Sequence, residues 1–195
     1  KVFIDRELTF LTKNFPELRI VCEHATTKDM IQFVESTGAN IGCTITAHHL
    51  YITRNDIFSG GINPHNYCLP VAKTAEDKEA LIKAATSGNP KYFAGTDSAP
   101  HPIENKIKAG GSAGIYTAAT ALELYCQAFD QAGCLDKLEA FTSFYGADYY
   151  GLERNKDQIT LTKQSHTIPD SFPFGDSKVV PFMAGEEIEW QISKL

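Results

Sequence analysis

The chain has 195 residues, 43% of them hydrophobic, and a formal net charge of −6. Acidic and basic residues are mixed and no Lys/Arg block stands out, so the usual electrostatic footprint of a nucleic-acid binder is missing. The apolar runs are too short to span a bilayer as helices, and the length suits one ordinary domain or part of a larger one.

The five cysteines are Cys22, Cys43, Cys68, Cys126 and Cys134. None forms a C-x-x-C pair. Their odd count, with Cys22 and Cys43 inside apolar runs, reads as reduced thiols in a cytoplasmic protein. The opening stretch "KVFIDRELTFLTKNFPELRIV" carries no signal-peptide pattern and reads as starting partway into a protein, just before a helix.

In chain order, Asp5 to Phe15 places Leu8, Leu11 and Phe15 on a helical stripe that Pro16 ends. "RIVCEH" (Arg19–His24) is a short buried strand. Thr26 and Asp29 have capping-box spacing, and Met30, Phe33, Val34 and Thr37 give the face of the helix that follows, stopped by Gly38. "IGCTIT" (Ile41–Thr46) is a second strand. A long polar connection contains "NPHNYCLP" (Asn63–Pro70), and Thr74 with Asp77 caps a helix faced by Leu81, Ile82 and Ala85. "KYFAGTD" (Lys91–Asp97) is the third strand. Beyond a Gly-rich stretch, a strong helix carries Leu122, Tyr125, Cys126 and Phe129, and a shorter helical region runs from Leu135 to Tyr145. Strands that read as continuous apolar runs between capped helices point to a parallel sheet covered by helices. Residues 1–152 form this part. Residues 153–195 read as a β-rich extension of the same domain, with "QITLT", "KVVPF" and "EIEWQI" as strands around the loop-like "SHTIPDSFPFGDS".

Each strand ends in polar chemistry: Glu23-His24, Thr46 followed by His48-His49, and Asp97. Parallel α/β folds bind ligands at the carboxyl ends of their strands, so these groups share one edge. Neutral imidazole and carboxylate are zinc ligands. Coordination lowers a water's pKa towards about 7, and a neighbouring carboxylate can take its proton. Plainer readings stand beside this one. On pattern alone His24 reads as a satisfied structural group, Asp97 as a cap through Ser98 and Ala99, Glu23 as an outward ion-pair former and His65 as a loop hydrogen-bonder. One of His48 and His49 packs under the sheet edge.

"CEHATTKD", "ITAHHLYITRND", "NPHNYCLPVAK", "FAGTDSAPHPIENK" and "SAGIYTAATAL", in this order, resemble the single-function (class II) dihydroorotases of the amidohydrolase superfamily. The tail "VVPFMAGEEIEW" resembles the end of those enzymes. The resemblance implies the C-terminal part of a TIM-like (β/α)8 barrel, about strands six to eight, with a two-zinc site at its mouth. It implies reversible interconversion of L-dihydroorotate and N-carbamoyl-L-aspartate in pyrimidine biosynthesis. His24 matches a zinc ligand. Asp97 matches the ligand of the other zinc, which also carries the proton. His101 matches the group that holds the substrate carboxylate, and Leu69 and Ala113 match substrate-touching positions that act largely through backbone atoms. The family precedent is a homodimer acting on a small molecule, without nucleic acid or membrane.

The family's H-x-H pair and its metal-bridging lysine do not occur in this sequence. The N-terminal half of such an enzyme is therefore an expected partner for a full site. Two alternatives remain: a non-catalytic dihydroorotase-like partner subunit, and another cyclic amidohydrolase acting on hydantoins or allantoin.

Overall fold

The structure, a computed structural model, describes residues 1–193, so the last two residues of the expected extension lie outside the described residues. Its centre is a parallel sheet of β1 (Ile20–Cys22), β2 (Ile41–Ile45) and β3 (Tyr92–Ala94) in that order. The register pairs Ile20 with Ile41 and Thr44 with Phe93. Every residue of β2 is buried, as the central strand of a sheet covered on both faces must be.

Helices alternate with the strands. A wide turn (Ile4–Leu8) leads into α1 (Thr9–Asn14), and α2 (Lys28–Glu35) joins β1 to β2. The short α3 (Ala47–Tyr51) follows β2 directly, and α4 (Ala75–Ala85) leads to β3. Beyond β3 come α5 (Ile103–Ile107), α6 (Ala121–Gln131) and α7 (Tyr145–Tyr150). The Thr74/Asp77 box caps α4 as expected: the Asp77 amide donates to Thr74 Oγ1 and the Thr74 amide to Asp77 Oδ2, both at 3.2 Å. For α2 the expected box is off by one residue. Thr26 is buried, and the extended Thr27 accepts from the Met30 amide at 3.2 Å. Asp77 accepts from the Lys28 amide at 2.9 Å, which ties the starts of α2 and α4 together.

Several boundaries differ from the sequence reading. β3 stops at Ala94, not Asp97: the Gly95 amide makes a last bond to the Ile45 carbonyl at 3.4 Å, and beyond it the chain leaves the ladder. Phe15 is 52% exposed and does not join the stripe of Ile4 and Leu8. The region from Leu135 is a 3-10 turn (Leu135–Lys137) and a wide turn (Ala140–Phe144) that runs into α7. The segment read as loop-like holds a strand. After β4 (Thr160–Thr167), β5 (Phe172–Phe174) forms a hairpin with β6 (Ser177–Val179), and β7 (Glu187–Ser193) returns antiparallel to β4. The β4–β7 ribbon packs on α6. The Glu189 amide donates to Gln127 Oε1 at 2.8 Å, and Ile168, Phe182 and Ile188 are buried in the same core as β2 and Phe129.

Gly95 is required by close approach. A Cβ there would lie 2.6 Å from Thr44 Cβ. Both atoms belong to packed backbone segments, so neither can swing aside. Gly95→Ala is expected to cost about 1–3 kcal/mol of stability through overpacking. The midpoint of urea unfolding measures it, and a loss below about 0.5 kcal/mol, typical of an unconstrained surface position, would contradict the assignment.

Candidate active site

The ends of β1 and β3 share an unusual backbone feature. His24 (φ 41°) and Asp97 (φ 44°) are both left-handed, and Met183 is the other non-glycine residue described with positive φ. This conformation is sparsely populated for side-chain-bearing residues and costs of order 1–3 kcal/mol where it is held. Both chains therefore turn sharply as they leave the sheet, at the two positions the sequence singled out.

Thr44, on the strand between them, governs both turns. Its hydroxyl accepts from the His24 amide at 2.6 Å and donates to Glu23 Oε2 at 2.6 Å, while its carbonyl accepts from the Ala25 amide at 3.1 Å. Its Cβ occupies the space that Gly95 leaves open. Glu23 thus receives a hydroxyl, and the expected outward ion pair is absent among the described residues.

Asp97 does not cap the following turn. The Ala99 amide donates instead to the Ile115 carbonyl at 2.9 Å, and Ser98 Oγ accepts from the distant Thr117 and Ala118 amides at 3.2 and 3.0 Å. The Asp97 carboxylate has the Cys68 thiol 3.6 Å away as its donor. Burial, reinforced by the Asp97 charge, pushes that thiol up to about 11, so Cys68 is protonated at neutral pH. One nitrogen of His48, the Cys68 sulfur and an Asp97 oxygen all lie within 4.8 Å of one another, a donor set able to hold a metal ion. His24 is outside that set, and its buried Nδ1 has no hydrogen-bond partner.

Both His48 and His49 are buried, where one of the two was expected under the sheet edge. They sit on α3, not on a strand, with ring centroids 4.2 Å apart, edge to face. None of their four ring nitrogens makes a hydrogen bond of standard geometry. Burial drives the His48 imidazole far below its usual range, and His49 down to about 4 despite an opposing influence from the Pro70 carbonyl. His65 lies on a 3-10 turn (Pro64–Asn66) and makes none of the loop's side-chain bonds. Asn63 and Asn66 make them, donating to the carbonyls of Asp56 and Ser59.

The remaining expected residues lie on neighbouring loops. His101 Nε2 is 3.0 Å from the Ala113 carbonyl. Leu69 is 59% exposed on the loop after Cys68. Gly114, next to Ala113, donates its amide to the Tyr67 carbonyl at 3.0 Å. A Cβ at Gly114 would lie 2.4 Å from the Ala99 carbonyl and 2.7 Å from His101 Cδ2, so only glycine lets the ring lie there. Two participants escaped the sequence reading. Thr44 looked like one more β-branched strand residue, and the buried Lys106 stands in "IENK" without any local mark of burial.

No family model matches the chain. Among curated proteins, a dihydroorotase of Nitrosomonas eutropha is 54% identical over 192 residues, covering 98% of this chain and 56% of the relative. One of Acaryochloris marina is 55% identical with the same coverage. The chain resembles dihydroorotases along nearly its whole length. It spans about half the length of the curated relatives it matches. Among solved structures, Saccharomyces cerevisiae dihydroorotase in complex with 5-fluoroorotic acid superposes with a TM-score of 0.87 at 35% identity, over 95% of this chain and 54% of that one. Campylobacter jejuni dihydroorotase gives 0.86 at 38%, over 96% and 55%. A Thermus D-hydantoinase at 18% identity, TM-score 0.75, shares the fold alone, over 96% of this chain and 45% of that one.

The buried histidines set an acid limit on stability. His49 titrates near 4 when folded and near 6.5 when unfolded, so between these values the unfolded chain binds more protons. Stability is therefore present above about pH 6.5 and lost as pH falls towards 4, by an amount on the order of 3 kcal/mol. Urea unfolding across this window checks it. His49→Gln should weaken the dependence, His48 supplying the remainder, and an unchanged slope in that variant would contradict the assignment.

Proposed function

We propose that the chain is the carboxyl-terminal part of a zinc-dependent dihydroorotase, about strands six to eight of the barrel with a β-rich extension, residues 153–195, of the same domain. It interconverts L-dihydroorotate and N-carbamoyl-L-aspartate in the cytoplasm, together with an N-terminal half and as a homodimer. The observation that carries this reading is the pair of left-handed residues, His24 and Asp97, braced across Thr44 at one edge of a parallel sheet. The identity to dihydroorotases over nearly the whole chain supports it.

The donor chemistry fits zinc. His24 offers a buried, unpartnered Nδ1, and Asp97 offers a carboxylate beside imidazole and thiol donors. Zinc held by these residues would polarise the scissile carbonyl and lower the pKa of the attacking water. Asp97 accepts a proton from the attacking water and returns it to the departing ring nitrogen. His101 holds the substrate α-carboxylate, and the backbones at Leu69 and Ala113 fix the ring's orientation. The requirement for a further half is supported by the sheet itself. β1 and β3 are its outer strands, each with an unpaired edge that a closed barrel would cover.

Residues 1–195 alone should neither bind two zinc ions stoichiometrically nor turn over dihydroorotate. The barrel completed by an N-terminal half should do both. In the completed barrel, Asp97→Asn should lower kcat at least about a hundredfold, the scale of general acid–base catalysis. Steady-state assay and metal analysis decide it. Full two-zinc loading with turnover by the isolated chain, or an active Asp97→Asn enzyme, would refute the reading.

A further inference from the structure

Lys106 lies on α5 with only 4% of its surface exposed. Its ammonium donates to three backbone carbonyls: Tyr67 at 2.8 Å, Ser112 at 2.9 Å and Gly114 at 2.6 Å. An ammonium has three donors, and all three are used. No carboxylate pairs with it among the described ion pairs. A buried cation without an anion is expensive, and burial pulls this amine down to about 8. A methionine would fill the same space but remove the donor from all three carbonyls, so the ammonium is held here for its bonds to these two loops.

The three carbonyls come from two separate loops. Tyr67 precedes Cys68 and Leu69, and Ser112 and Gly114 flank Ala113. The Gly114 amide bonds back to the Tyr67 carbonyl, and the Ser112 amide donates to the Asn105 carbonyl at 2.9 Å. His101 Nε2 then rests 3.0 Å from the Ala113 carbonyl. We propose that Lys106 is a positioning residue that clamps the Tyr67–Pro70 and Ser112–Gly114 loops together, fixing Leu69, Ala113 and His101 as one substrate-binding wall. The proposal rests on the dihydroorotase reading for what the wall binds, but not for the clamp itself.

The test uses the barrel completed by its N-terminal half, with dihydroorotate as substrate. Lys106→Met keeps the stem and removes the donors. The expected result is a KM raised about ten- to hundredfold with kcat changed far less, because binding geometry and not proton transfer is disturbed. Leu81→Ala, a core change on α4, controls for lost stability and should lower the melting temperature with KM unchanged. A Lys106→Met KM within about twofold of the parent, or an equal KM rise in Leu81→Ala, would overturn the proposal.

Hydrogen exchange gives a readout independent of activity. In Lys106→Met, peptides covering residues 66–70 and 110–116 should exchange faster while β2 stays protected. Unchanged exchange in those loops would overturn the clamp. If Lys106→Met does not fold, Lys106→Arg supplies the same readouts, since its larger head presents its donors in a fixed plane and not as the three converging bonds of an ammonium. Parent enzyme without turnover would refute the dihydroorotase reading and leave the exchange result to decide the clamp.

Discussion

The contact between Thr44 and the two strands beside it is the constraint on which the rest depends. One buried residue on the central strand binds the His24 amide through its hydroxyl and receives Gly95 against its Cβ. Sheet pairing would run each outer strand straight on. Thr44 replaces the next ladder bond of β1 with a side-chain bond and lets β3 approach too closely for any side chain at Gly95. Both chains then leave through left-handed residues, and those residues are His24 and Asp97. A conformational cost of order 1–3 kcal/mol at each is held in place by packing around β2, whose five residues are all buried.

The site is built in two layers with different physics. Nearest the sheet, His48, His49, Cys68 and Asp97 bring polar atoms into a region that excludes water, and most of those atoms have no protein partner. Such groups keep neutral imidazole and thiol forms, suited to coordination but costly when left alone. Towards the rim, backbone carbonyls and amides do the shaping, held by Lys106, Ser98 and Gly114. Asp97 stands where the two layers meet, its carboxylate within reach of the Cys68 thiol.

Much of this was legible in the sequence because it rests on local signals. The uninterrupted apolar run of β2, the Thr74/Asp77 box and the polar residues at strand ends each carry their own mechanism. Failures came where tertiary contacts override local pattern. Thr27 caps α2 in place of Thr26 because Thr26 is buried, and β3 ends early because Gly95 meets Thr44. β5 was hidden in a proline-containing stretch, since Phe172-Pro173-Phe174 lacks the alternation of a half-buried strand. The burial of Lys106 depends on three carbonyls distant in sequence or folded back upon it, which no spacing rule reveals. His48 was legible as one of a pair near a strand end, but not its convergence with Cys68 and Asp97, 20 and 49 positions away.

The central claim is that the left-handed pair at the sheet edge holds zinc. Anomalous diffraction at the zinc edge, on crystals of the completed barrel, tests it most directly. The account predicts two peaks, one bonded to a His24 nitrogen and one to an Asp97 oxygen, at about 2.0–2.2 Å. A single ion bound by His48, Cys68 and Asp97, with sulfur at about 2.3 Å and His24 free, would contradict it.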